Sequence, residues 1–175
     1  MTLVTFDSSA PHRSGVFFSP AQPEDFEWLL ALRIEAMRES LQRLGRFDVD
    51  RARDRFASSF VATGTRHIEA GGQRIGFVAT READGHLWLD HLYIHPGMQR
   101  RGYGAIALAH VIEAAALRRL PIRVGALKLS DSNGFYVRHG FELVGEGEFD
   151  NYYVRPCDAS ASDAPNIHPT RLQGT

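Results

Sequence analysis

The sequence predicts one mixed α/β domain, a sandwich with a strand-loop-helix unit at its centre. Three observations carry that prediction. A short apolar run, Leu87 to Ile94, meets a proline, then the hexapeptide QRRGYG (Gln99 to Gly104), then an alanine-rich stretch to Arg119 with no further glycine before Gly125. Ahead of it, apolar residues recur at helical spacing from Phe26 to Met37. Around it, short runs bounded by glycine-bearing turns read as strands. The resulting order is strand, two helices, three strands, helix, strand, helix and a closing hairpin.

Taken in order, Val16 to Ser19 reads as a short strand, and Pro23 suits the first turn of a helix over Pro23 to Leu44. Phe26, Leu29, Leu30, Ile34 and Met37 are its expected buried stripe. Asp48 or Asp50 can cap a second helix running through Phe60. Arg66 to Ala70 and Arg74 to Thr80 flank Gly71, Gly72 and Gln73, a hairpin signal, and Asp84 with Gly85 marks the next turn into Leu87 to Ile94. The following helix is expected to bury Ile106, Ala109, Ile112 and Ala116. Pro121 stops it, Ile122 to Leu127 returns as a strand, and Phe141 to Glu146 with Tyr152 to Arg155 close the sheet.

Composition narrows the function classes. The 175 residues carry a formal charge of −1, so nothing steers the molecule toward nucleic acid or an anionic membrane. Cys157 is the only cysteine, which excludes an internal disulfide and a cysteine-rich metal site. No apolar run approaches membrane-spanning length and the start lacks a signal-peptide pattern, so a cytoplasmic protein is expected. Residues 1–14 are expected to be flexible, 15–156 to form the domain, and 157–175 to be a disordered tail, being polar and poor in large apolar side chains.

The hexapeptide has the layout of a phosphate cradle. The first turn of a helix presents N–H groups without partners, and its dipole favours an anion there. Gly102 and Gly104 let a phosphate approach the backbone, and Arg100 and Arg101 add charge that can fork onto its oxygens. GxxxxGK[ST] is absent and the only lysine is Lys128, while Ala107 stands where GxGxxG needs its third glycine.

QRRGYG resembles the Q/RxxGxG/A motif of the GNAT superfamily of N-acetyltransferases, with Gln99, Gly102 and Gly104 in the motif positions. LDHLYIHP resembles that family's fourth strand, and FYVRHGFELVGE (Phe135 to Glu146) its short helix running into strand six. The resemblance implies a mostly antiparallel central sheet flanked by about four helices, and acetyl-coenzyme A as co-substrate without a metal. It implies that Gln99 to Gly104, with Ala105, hold the pyrophosphate, Tyr103 lying within that run. Main-chain groups of Leu92, Tyr93 and Ile94 would meet the pantetheine arm and the thioester. Tyr136, four residues before Gly140 in YxxxGF, stands where the family's general acid usually lies. Many members carry an asparagine seven residues before that tyrosine; here the position is Leu129 and Asn133 is nearer, so Asn133 is the expected coenzyme contact.

Acetyl transfer to an amine imposes three demands. A primary alkyl amine has a pKa of ~10.4, so a base must take its proton. The thioester oxygen needs a donor, and so does the departing thiolate. Tyr136 suits the last role as a hydrogen-bond donor. For the base, Asp90 and His91 compete. Strict alternation puts Asp90, Leu92 and Ile94 on one face and His91 with Tyr93 on the other, unless a bulge intervenes. The matching glutamate of some family members would fall at Trp88. His91 and His95 do not make a zinc site, since HExxH is missing.

The acceptor is the least legible part. Glu142, Glu146, Glu148 and Asp150 crowd the closing hairpin, which in the family borders the acceptor cleft. They point to a cationic small molecule or a basic peptide end as the acceptor, against the plainer reading of a solvated surface. A homodimer is compatible with this composition; nucleic-acid and membrane partners are not expected. A catalytically silent acyl-coenzyme A module would keep the cradle, and a nucleotide-binding protein would use the same helix end for another phosphate.

Overall fold

A computed structural model describes residues 15–157; the segments 1–14 and 158–175, expected above to be loose, lie outside the described residues. The chain forms β1 (Val16–Pro20), α1 (Phe26–Arg43), α2 (Val49–Ser59), β2 (Thr65–Ala70), β3 (Gln73–Ala83), β4 (His86–Ile94), α3 (Tyr103–Leu117), β5 (Ile122–Leu127), α4 (Ser132–Arg138), β6 (Glu142–Glu146) and β7 (Asp150–Arg155). The strands make one seven-stranded sheet in the order β1-β2-β3-β4-β5-β7-β6. Every pairing is antiparallel except β4 with β5, as a crossover through α3 requires. The expected mixed, mostly antiparallel sheet with four helices is present.

The turn signals act as read. Gly71 and Gly72 both take positive φ (59° and 76°), as do Asp84 and Gly85 (53° and 69°), giving two-residue hairpins whose twist matches the strands they join. Asp48 caps α2 by accepting from the Arg51 N–H at 3.0 Å.

Two apolar layers sandwich the sheet. On one face Leu29, Leu30, Leu32, Phe56 and Phe77 pack beneath α1 and α2. On the other, Ala107, Leu108, Val111 and Ala115 of α3 meet Leu87, Leu89, Ile122 and Val124. Both helix stripes differ from expectation. Met37 is only half-buried, and its sulfur accepts a hydrogen bond from Tyr93 at 3.1 Å. Ala109 and Ala116 are exposed, because a helix that is apolar all round gives periodicity little contrast and the larger Leu108 and Val111 decide which face is buried.

The start of α1 is tied to the sheet by charge. Asp25 accepts from the Gln22 N–H at 2.8 Å, from His67 Nε2 at 2.9 Å and from Arg74 Nη1 at 2.8 Å. His67 is fully buried, and its ring meets Trp28 edge-on at 5.2 Å. The hydrogen bond from His67 above all, then those from Gln22 and Arg74, holds the Asp25 carboxyl well below the usual carboxylate range. Ionised Asp25 therefore stabilises the fold in full above the unfolded pKa of ~3.9, and the contribution is lost as pH falls below it. Asp25→Asn should cost about 2 kcal/mol at pH 7. Thermal melts of variant and parent should begin to converge only below about pH 4 and should close further as pH falls toward the depressed pKa; a constant gap would refute this role.

Candidate functional site

The β4 and β5 strands are hydrogen-bonded only from Leu87–Ile122 to Leu89–Val124. Beyond Leu89 they part. The cause lies in β4, where the register against β3 slips between Ala79–His91 and Thr80–Leu89, leaving Asp90 as the extra residue of a bulge. The bulge also resets the alternation. Leu87 and Leu89 share the α3 face with Leu92 and Ile94, while His91 and Tyr93 join Phe56 and Phe77 on the α1–α2 face. The expected grouping of Asp90 with Leu92 and Ile94 is therefore corrected. Asp90 instead pairs with Arg81 Nε at 2.9 Å, and the Arg81 guanidinium lies 4.8 Å over the Trp88 ring.

Parting the strands leaves main-chain groups without a strand to bond. His95 N–H bonds to Ile75 O at 2.8 Å, so the alternation of an antiparallel ladder turns the backbone of 91, 93 and 95 toward β3 and that of Leu92 and Ile94 toward the gap. Of the three expected main-chain contacts, Leu92 and Ile94 are thus available and Tyr93 is not. Tyr93 contributes its side chain to the walls of a cavity of ≈ 550 Å³ that occupies the gap. Arg33, Met37 and Ser40, one face of α1, roof that cavity, and Arg46 of the α1–α2 loop stacks 3.5 Å over Phe149 of the closing hairpin.

The cradle lies at the end of β4. Gln99 donates from Nε2 to Ile94 O at 2.9 Å, fastening the loop to the strand it follows. Gly102 caps α3 with φ of 86°, a left-handed conformation that a side chain would strain, whereas a Cβ on Gly104 would meet Phe135 at an ordinary 3.7 Å. Ile106 N–H is the first to bond back into the helix, to Gly102 O at 3.1 Å, so the N–H groups of Tyr103, Gly104 and Ala105 have no helical partner. Arg100 and Arg101 are exposed beside them and form no ion pair among the described residues. A diphosphate fits such an end: free donors, no Cβ at Gly102 and Gly104, and two unneutralised arginines.

Tyr136 of α4 lines the same cavity and is only 6% exposed. Its ring packs against Phe135, Phe141 and Tyr153, and its hydroxyl makes no hydrogen bond among the described residues. Burial first, and the neighbouring Tyr93 second, push the phenol pKa up, so Tyr136 stays protonated through the neutral range. Burial also raises the Asp90 carboxyl against the opposing pull of Arg81. His91 moves the other way, lowered to about 4 by burial and then by the Arg33 charge. Its two ring nitrogens are buried without a partner.

Asn133 does not match its expected part. Its amide nitrogen donates to Leu127 O and Ser130 O, both at 2.9 Å, and its oxygen accepts from Asn151 and from Tyr153 Oη, also at 2.9 Å. It braces the β5–α4 turn against β7, its polar atoms are engaged within the protein, and it does not line the cavity. Asp131 precedes α4 without a side-chain capping bond. The acidic hairpin is also redistributed: Asp150 lines the cavity, whereas Glu142, Glu146 and Glu148 do not, and Glu146 pairs with Lys128 at 3.3 Å. Arg33 and Arg81 carry no motif in the sequence and meet the site only through helix packing and strand pairing.

Among the described residues no group of three His, Cys, Asp or Glu side chains could hold a metal, and no helix is long and apolar enough to cross a membrane. No curated protein matches the chain at significant similarity. Solved structures with this fold include a paia N-acetyltransferase from Thermoplasma acidophilum in complex with coenzyme A, 16% identical, with a TM-score of 0.60 over 81% of this chain and 98% of that one. A GCN5-related N-acetyltransferase from Rhodopseudomonas palustris is 19% identical, with a TM-score of 0.64 over 87% and 99%. N-acetylglutamate synthase from Neisseria gonorrhoeae, complexed with coenzyme A and L-arginine, is 18% identical with a TM-score of 0.60, covering 84% of this chain and 34% of that one. The acetyltransferase (GNAT) family model matches residues 24–141, a span that holds β4, the cradle and Tyr136. The chain belongs to the acetyltransferase (GNAT) family, and acetyl-coenzyme A is its co-substrate.

Proposed function

We propose that this enzyme moves the acetyl group directly to a primary amine, both substrates being bound together, with residues 15–156 as the catalytic unit. The reading is carried by one observation: the unpartnered Tyr136 hydroxyl, the bulge carboxylate Asp90, the free backbone of Leu92 and the Ile94 N–H border one cavity next to the phosphate cradle. The Tyr103–Ala105 end of α3 and Arg100 and Arg101 hold the diphosphate. Leu92 and Ile94 pair the pantetheine arm as a further strand would, and the Leu92 N–H donates to the thioester oxygen as it gains charge. Asp90 takes a proton from the ammonium, directly or through water, and the free amine attacks the carbonyl carbon. The C–S bond then breaks, the attacking nitrogen loses its second proton to water, and Tyr136 donates a hydrogen bond to the departing thiolate; its raised pKa favours donation over full transfer. Asp90 is favoured over His91 because burial makes the carboxylate more basic and the imidazole less so, and because His91 is enclosed by Phe56, Phe77 and Tyr93.

Tyr136→Phe should lower kcat roughly 100-fold while leaving the acetyl-coenzyme A Kd within about twofold; retained turnover would refute the assignment. Gly102→Ala should raise that Kd about tenfold, through roughly 1–2 kcal/mol of left-handed strain, and Gly104→Ala much less. Equal effects in calorimetry would contradict the cradle geometry. A base must be ionised to act, so kcat should fall as pH drops through the Asp90 pKa. Removing the Arg81 charge raises that pKa, and Arg81→Gln should therefore move the acid limb to higher pH. An unmoved limb would transfer the role to His91.

A further inference from the structure

Six arginines and five carboxylates line the cavity, so its total charge is nearly balanced, and pairing decides its local character. Asp90 is neutralised by Arg81, and Asp48 is engaged in capping α2. Arg33 has no carboxylate partner among the described residues. Its guanidinium is half-buried, lies 5.9 Å from the Phe56 ring, makes one bond to backbone, from Nη1 to Ala52 O at 3.3 Å, and also donates toward the Tyr93 hydroxyl oxygen. Its Nε is buried with no partner. The neighbouring wall repeats this pattern, because Trp88 Nε1, a donor, and both nitrogens of His91 are also buried without partners. A half-buried guanidinium on the cavity face without a carboxylate partner calls for an acceptor-rich, negatively charged group.

We propose that the acceptor is a small amine that also carries an anionic oxygen group, carboxylate or phosphoryl, and that Arg33 is the residue that binds that group. The inference rests on the acetyl-transfer reading and replaces the cationic acceptor suggested by the acidic hairpin, of which only Asp150 reaches the cavity. Arg33 lies on the cavity face of α1, and its charge acts on His91, the residue next to Asp90. An anion bound there leaves the amine end of the same molecule free to meet the bulge. Arg46, Arg51 and Arg55 around the same half of the cavity would draw such a molecule in.

The test follows coenzyme A release from the full chain with matched acceptors: amino acids, their amides, the amines left after decarboxylation, and the aminophosphonates. Anionic members should exceed their neutral and cationic counterparts about tenfold or more in kcat/KM. A carboxylate or a phosphonate lead would each support the proposal and name the anion. Arg33→Gln should raise KM for the anionic members alone and abolish the discrimination, with the acetyl-coenzyme A Kd unchanged; Arg33→Lys should restore part of it. Equal or better turnover of amides and decarboxylated amines would overturn the proposal and leave acetyl transfer intact. Should no acceptor be turned over, N-acetylated amino acids should still raise the melting temperature of the coenzyme A-saturated protein more than N-acetylated amines do, and equal shifts would overturn it. Failure to bind acetyl-coenzyme A would instead refute the reading beneath it.

Discussion

The structure depends on a pairing that stops early. Parallel strands β4 and β5 bond through three residue pairs and then diverge, with the Asp90 bulge at the point of divergence. A sheet that fails to zip leaves backbone donors and acceptors unmet, which would be costly in a closed core. Here the opening is the proposed site. It frees the Leu92 and Ile94 backbone for a ligand, admits the Tyr136 hydroxyl from the α3–α4 face, and gives the Asp90 carboxylate and the α1–α2 roof access from the other. Gln99 holds the loop to the end of the same strand, so in the proposed reading one parting fixes the coenzyme handle and the reacting centre together.

Burial then sorts the protons. Tyr136 and Tyr93 lie in an apolar wall that penalises the phenolate, so both remain donors. The same penalty acts in opposite directions on Asp90 and His91: the carboxylate becomes more basic and the imidazole less so. Arg81 moderates the first effect from a position fixed by stacking on Trp88. Where part of the family has a glutamate, this chain places an indole whose role is to hold the partner of the next acidic residue along the strand.

Much of this was legible in the sequence because local chemistry wrote it. The Gly71–Gly72 and Asp84–Gly85 turns, the Asp48 cap and the QRRGYG cradle depend on backbone conformations that few residues support. Other parts depend on long-range geometry. The bulge at Asp90 adds one residue to β4 against β3 and leaves no mark in composition, so strict alternation misassigned the face of Asp90. The α3 stripe was misplaced because alanine is apolar on every side. Asn133 looked available until Leu127, Asn151 and Tyr153 were seen to surround it. The acidic hairpin suggested its own ligand, yet its glutamates face away from the cavity. Arg33, on a helix with mixed charges, had nothing to separate it from a solvated arginine.

The central claim is that the thioester lies in the gap between β4 and β5. A crystal structure with a non-reactive acetyl-coenzyme A analogue, its carbonyl kept and its ester sulfur moved beyond a methylene, tests it most directly. The account predicts the diphosphate on the Tyr103–Ala105 N–H groups, the arm bonded to Leu92 and Ile94, and the sulfur within hydrogen-bonding reach of the Tyr136 hydroxyl. A coenzyme bound outside the gap, with β4 and β5 closed against each other beyond Leu89, would contradict it.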